Sequence, residues 1–250
     1  MSKKYNPTIH RKAAYMQRIA DYVGHGYTRY VSGRILVAQA QKFASKFATF
    51  YRVDLDVFER ARNKKLGIGN AVLLVHQPGD SQELYWVMLV SPGVHPAETM
   101  EKLKDCREAP IELTGYELVR QTKAVPGRSE GGGKGLGKTV WTWRMTNKKY
   151  EGLREVFISL IRQKQISAFY SALADLFKSP GFSGIRSQVG HLWALIRAEW
   201  KRRIGLDAEL PKKPFLFYTR RIAESQVKLS HIVKLAPQAI LIHEKELEQC

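Results

Sequence analysis

Apolar residues recur at three- and four-residue steps through Leu36, Ala40, Phe43, Phe47, Phe50 and Tyr51, with Arg34 and Arg52 on the opposite face and Lys42 and Lys46 on the flank. That period fits a helix with one packed side, and the first fifty residues read as helical. A shorter helix is expected over 54–65, ended by Gly67 and Gly69. The period then changes. Residues 71–75 and 84–90 are continuous apolar runs separated by Gln77-Pro78-Gly79-Asp80-Ser81, as in strands covered on both faces and joined by a turn. A helix is expected over 97–107. Residues 111–123 and 139–146 are more polar and alternate, so they read as two arms of a hairpin nearer a sheet edge.

Helical spacing returns after Lys148. One long helix is predicted over 149–178, with Leu153, Val156, Phe157, Leu160 and Ile161 in its buried stripe and Pro180 and Gly181 as its stop. The next, over 185–204, buries Val189, Leu192, Trp193, Ile196 and Trp200. Pro211-Lys212-Lys213-Pro214 reads as a stiff basic connector before a last helix over 219–235. The order predicts an α+β fold: a small, mostly antiparallel sheet of about four strands within residues 70–146, flanked by N-terminal and C-terminal helices. Residues 1–146 make the first region, and 147–250 a basic helical region packed on the same core.

At 250 residues and 44% hydrophobic content, the chain is long and apolar enough to fold without a disulfide or metal. No apolar run approaches the roughly 20 residues of a membrane span, and the opening Met1-Ser2-Lys3-Lys4-Tyr5-Asn6-Pro7 lacks the apolar core of a signal peptide. A cytoplasmic protein is expected, with no membrane partner. Cys106 and Cys250 then read as free thiols.

Charge adds what periodicity cannot. The net charge is +18, gathered into three stretches. Residues 1–52 hold ten Lys or Arg against Asp21 alone; 120–164 hold eleven against three acids; 186–234 hold eleven against four. Residues 67–119, by contrast, hold three basic groups against eight acids. Cations crowded this unevenly repel one another in a compact fold unless a polyanion faces them, which makes nucleic acid the leading partner class.

Gly132-Gly133-Lys134-Gly135-Leu136-Gly137-Lys138-Thr139 matches the phosphate-loop pattern G-x-x-x-x-G-K-[ST] letter for letter. That chemistry needs a helix to begin at the Lys-Thr, so that its first amides meet the phosphates. The following Thr139-Val140-Trp141-Thr142-Trp143-Arg144 reads instead as a strand, so the context fails. The preferred reading is a basic hairpin tip, with Arg128, Lys134 and Lys138 on the loop and Arg144, Lys148 and Lys149 beside it, contacting a phosphate backbone. On the 185–204 helix, Arg186, Gly190, Ala194, Arg197 and Lys201 form a ribbon of cations and small residues. Arg202 and Arg203 crowd its last turn, where the helix dipole alone also favours positive charge. Lys212, Lys213, Arg220 and Arg221 extend the basic run beyond one helix end.

Trp141 and Trp143 share a strand face, with Trp86 placed on a neighbouring strand; core packing is the expected role, base stacking the other. Tyr22, Tyr27 and Tyr30, interleaved with His25 and Arg29, are a possible aromatic-basic patch for which packing is again preferred. The seven histidines are scattered singly, without metal-ligand spacing, and no nucleophile–base set or acidic pair is assignable. No cofactor, metal or catalytic residue is therefore assigned. The sequence points to a non-enzymatic accessory or architectural protein that grips the phosphate backbone within a larger protein complex, DNA being slightly favoured over RNA. The alternatives are a nuclease or strand-transfer enzyme whose site assembles on folding, a phosphate-loop NTPase using Lys138 and Thr139, and a basic scaffold for an acidic protein or membrane surface.

Overall fold

The computed structural model describes residues 5–122, 139–205, 215–219, 221 and 227–234. The class is α+β, with two sheets and flanking helices. The chain divides into two compact units, residues 1–109 with 221–250, and residues 110–220.

The first unit is built from β1 (Ile9–His10), α1 (Lys12–Gly24), β2 (Arg29–Leu36), α2 (Val37–Tyr51), α3 (Val57–Lys65), β3 (Ala71–His76), β4 (Glu83–Val90), α4 (Ala97–Met100) and β5 (Lys104–Asp105). Its strands lie in the order β1-β3-β4-β2-β5, with β1 parallel to β3 and the other pairs antiparallel. The two apolar runs are β3, buried at every position, and β4. Val37, Ala40, Ala44, Phe47 and Tyr51 of α2 pack in one cluster with Leu73, Val75, Leu84 and Met88, and Leu229 joins it from the far end of the chain. The α3 helix starts on a reciprocal capping box between Asp56 and Glu59, which satisfies two amides that a helix start otherwise leaves unpaired.

Three expectations change here. Residues 29–36 form a strand, not helix: Val31, Gly33 and Ile35 are partly buried while Ser32, Arg34 and Leu36 between and after them are exposed, and the whole segment pairs with β4 in register. Gly33 sits there because a Cβ would lie 3.0 Å from the Trp86 ring. The 97–107 helix stops after one turn; Lys104 and Asp105 pair with β2 instead, and the Cys106 amide donates to the Thr28 carbonyl. The expected four-stranded sheet is in fact split, with β3 and β4 in this unit and the hairpin strands in the other.

The second unit contains β6 (Glu112–Leu113), β7 (Tyr116–Thr122), β8 (Thr139–Met145), α5 (Asn147–Arg162), α6 (Ile166–Phe177) and α7 (Ser183–Arg203). Its three strands run antiparallel in sequence order. Thr114 and Gly115, both at positive φ, make the two-residue turn between β6 and β7. The single helix expected over 149–178 breaks at Lys164, which adopts φ 55°. The Lys164 and Gln165 amides donate to the Ile161 and Leu160 carbonyls, the closed helix end that usually employs glycine. With no Gly or Pro to mark it, periodicity alone ran straight through that break.

Among the described residues no helix is long and apolar enough to cross a membrane. Cys106 is buried and forms no disulfide; burial pushes its thiol up to about 11.

Candidate nucleic-acid interface

The start of α7 is fastened to β8. The Thr142 hydroxyl oxygen accepts from the Gly184 amide at 3.2 Å and from the Ser183 hydroxyl at 2.9 Å, which satisfies an amide at the helix start. A Cβ on Gly184 would lie 2.6 Å from the Trp143 carbonyl oxygen, so only glycine lets the helix come this close. One turn on, Gln188 accepts from the Met145 amide at 2.7 Å and donates to the Met145 carbonyl at 3.0 Å, pairing that residue as a further strand would. The first half of α7 is thereby fixed against the hairpin.

Between them lies an open groove of about 350 Å³, lined by Arg120, Gln121 and Arg144 from the strands and by Ser187, Gln188 and His191 from α7. Arg144 is neutralised one-to-one by Glu117, Nε to Oε1 at 2.7 Å. Arg120 is exposed and has no ion pair among the described residues. Thr122 and Thr139, whose hydroxyls are 3.3 Å apart, end the described strands just beyond the groove-lining Arg120 and Gln121. Residues 123–138, with Arg128, Lys134 and Lys138, lie outside the described residues.

The exposed side of α7 continues from the groove. Ser187, His191, Ala194, Ala198 and Lys201 recur at three- and four-residue steps, with Arg197 on the flank, all exposed. At about 1.5 Å per residue this row extends about 21 Å. Ala194 and Ala198 put small side chains beside Arg197 and Lys201, which lets a backbone approach closely.

At the helix end, Glu199 is buried and receives three guanidinium groups. Arg162 Nε donates to Oε1 at 2.7 Å, Arg202 Nη1 bonds Oε2, and Arg203 Nε stands 3.6 Å from Oε1. The Arg162 hydrogen bond, helped by the charges of Arg162, Arg202 and Arg203, holds this carboxyl below its ordinary range. Three cations against one anion leave the cluster at +2. A guanidinium carries five N–H donors, and a carboxylate this shared occupies few of them. The arginines are thus internally oriented yet keep donors and charge for an outside anion.

The other sequence-selected cations divide. Arg186 packs on aromatic rings, and Lys149 Nζ lies 4.0 Å over the Tyr116 ring. Lys148, Arg197, Lys201 and Arg221 are exposed, without an ion pair among the described residues. Arg221 belongs to the first unit. Lys212, Lys213 and Arg220 lie outside the described residues. Lys148 and Lys149 occupy the first turn of α5, which holds no acid. A helix dipole disfavours cations there, so the dipole that accounts for Arg202 and Arg203 does not account for this pair. Arg120, Gln188, His191 and Glu199 were not singled out from sequence. Glu199 was legible only as the lone acid among cations at 197–203.

The phosphate-loop pattern ends at Thr139, the first residue of β8, so no helix begins there. Trp143 is fully buried, in keeping with the core reading, while Trp86 belongs to the other sheet and packs on Phe43 and Phe47. Of the tyrosine patch, Tyr30 is buried with its hydroxyl donating to the Ala109 carbonyl, and Arg29 pairs with Glu98. No three metal-ligating side chains gather among the described residues. Comparison of the chain with protein-family models, curated proteins and solved structures found no match.

Proposed function

We propose that this protein is a non-enzymatic, nucleic-acid-binding accessory factor whose 110–220 unit holds a sugar-phosphate backbone along α7 and the adjoining hairpin groove. The observation that carries the reading is the positive surplus gathered at the C-terminal end of α7. Arg197 and Lys201 are exposed without acid partners among the described residues, and Arg162, Arg202 and Arg203 around the buried Glu199, on the side of the same stretch of α7 that meets Arg162, add a net +2. Phosphates supply evenly spaced anions that match such a row, and guanidinium forks bind them in two-pronged fashion. Arg120, Gln121, Ser187 and His191 offer further donors in the groove.

Filter binding of single- and double-stranded DNA and RNA at two ionic strengths tests the reading, with DNA and RNA arms separating two sources of the same phosphate chemistry. Binding is expected to weaken with salt, and Arg197→Ala with Lys201→Ala to reduce the magnitude of the salt slope by up to about two. No binding at low salt, or an unchanged slope in the double variant, refutes the assignment to α7.

A further inference from the structure

Residues 215–219 lie against the turn between α6 and α7. The Thr219 amide donates to the Gly181 carbonyl at 3.1 Å, and a Cβ on Gly181 would fall 1.7 Å from the Phe217 carbonyl oxygen. Glycine is therefore required for this approach. Leu216 anchors the segment at 8% exposure, whereas Phe215, Phe217 and Tyr218 remain 62%, 76% and 65% exposed. Three large rings standing in water within four residues are not core. Phe215 and Phe217 meet edge to face with centroids 5.1 Å apart. The Arg186 guanidinium carbon lies 3.5 Å from the Tyr218 centroid and 5.3 Å from that of Phe215. No carboxylate pairs with Arg186 among the described residues, and its Nη1 is buried with no hydrogen-bond partner there. The exposed rings thus surround a positive charge that no carboxylate among the described residues neutralises, with one face of Tyr218 covered by the guanidinium and the rest of the ring surface open.

Resting on the nucleic-acid reading above, we infer that Phe215, Phe217 and Tyr218, with Arg186 among them, are a stacking platform for unpaired bases, so that the ligand contains a single-stranded segment. In a duplex each base face is covered by its neighbours. An unpaired base offers that face to an aromatic ring, and the phosphate beside it supplies the anion that Arg186 lacks. A protein partner would cover the same rings without needing the charge.

The test uses the full chain, a mixed-sequence single-stranded oligonucleotide carrying 2-aminopurine, and its duplex. Phe217→Ala and Tyr218→Ala are each expected to weaken single-strand binding roughly five- to a hundredfold while leaving duplex binding unchanged. Tyr218→Phe, which keeps the ring, is expected to retain wild-type affinity. Wild-type protein is expected to alter the 2-aminopurine emission through stacking, and Phe217→Ala to reduce that change. Because these rings are exposed, unchanged circular dichroism and duplex affinity report an intact fold. If wild-type protein binds nucleic acid but the variants lose nothing, or lose single strand and duplex alike, the platform is overturned and the phosphate-binding reading stands. If wild-type protein binds no nucleic acid, both are overturned, and the rings are left to a protein partner.

Discussion

Replacing Glu199 by glutamine separates the charge of the buried carboxylate from its shape. Its Oε1 accepts from Arg162 at 2.7 Å and faces Arg203 at 3.6 Å, while Oε2 takes Arg202. Glutamine keeps one acceptor and turns the other position into a donor aimed at a guanidinium. A hydrogen bond to a charged group contributes about 1.5–3 kcal/mol, and breaking a fully buried pair costs about 3–5 kcal/mol. Here the three arginines are half exposed and water can take them back, so the lower end applies, about 2 kcal/mol. Urea is the suitable denaturant because, being uncharged, it does not screen the cluster; the loss reads as a lower midpoint at unchanged slope. The pH dependence carries the stronger check. The carboxyl is held below its ordinary 4.5 in the folded state, so its stabilisation is complete above that value and disappears as pH falls through the folded value. The gap between wild type and Glu199→Gln is therefore full at about pH 7 and narrows in acid, below the ordinary 4.5, as the folded-state carboxyl takes up its proton. An equal gap at neutral and acid pH, or none at neutral pH, refutes the assigned role.

Gln188→Ala removes both bonds to Met145 and leaves that backbone pair facing a void; a loss of about 1–3 kcal/mol in urea unfolding is expected. Lys164→Gly relieves a left-handed residue at the end of α5 and is expected to raise stability by about 0.5–1 kcal/mol, against which any loss would count. His76 and His95 are buried, and that burial lowers their basicity below the ordinary 6.5 in the folded state. The unfolded chain then takes up protons first, so stability falls as pH drops below about 6.5, and His76→Asn is expected to flatten the dependence in urea titrations across that window.

The sequence carried the elements whose burial is one-sided or complete. The runs at 71–75 and 84–90 are strands because nothing polar interrupts them, and the stripe from Val189 to Trp200 gives the bounds of α7 to within about two residues. It misled where two periods meet: Leu36 ends a strand, yet its spacing to Ala40 continues the helical row of α2. It was silent at Lys164, where a left-handed cation does the work of glycine. For the candidate site, charge clustering named the region but not its internal pairing. Arg162 and Glu199 are 37 residues apart, and no local pattern joins them. The exposed rings at 215–218 looked like ordinary apolar sequence until burial was known for each position.

The way Gln188 and Gly184 seat α7 on β8 also limits how this unit can recruit a partner. At Met145 the main-chain donor and acceptor are already taken, and at Trp143 the helix backbone stands over the carbonyl. The opposite rim of the sheet is β6, only two residues long. An incoming extended peptide therefore cannot extend the ladder at Trp143 and Met145 of β8 and finds only two residues to join on β6, so a neighbour that meets the sheet at those places docks through side chains.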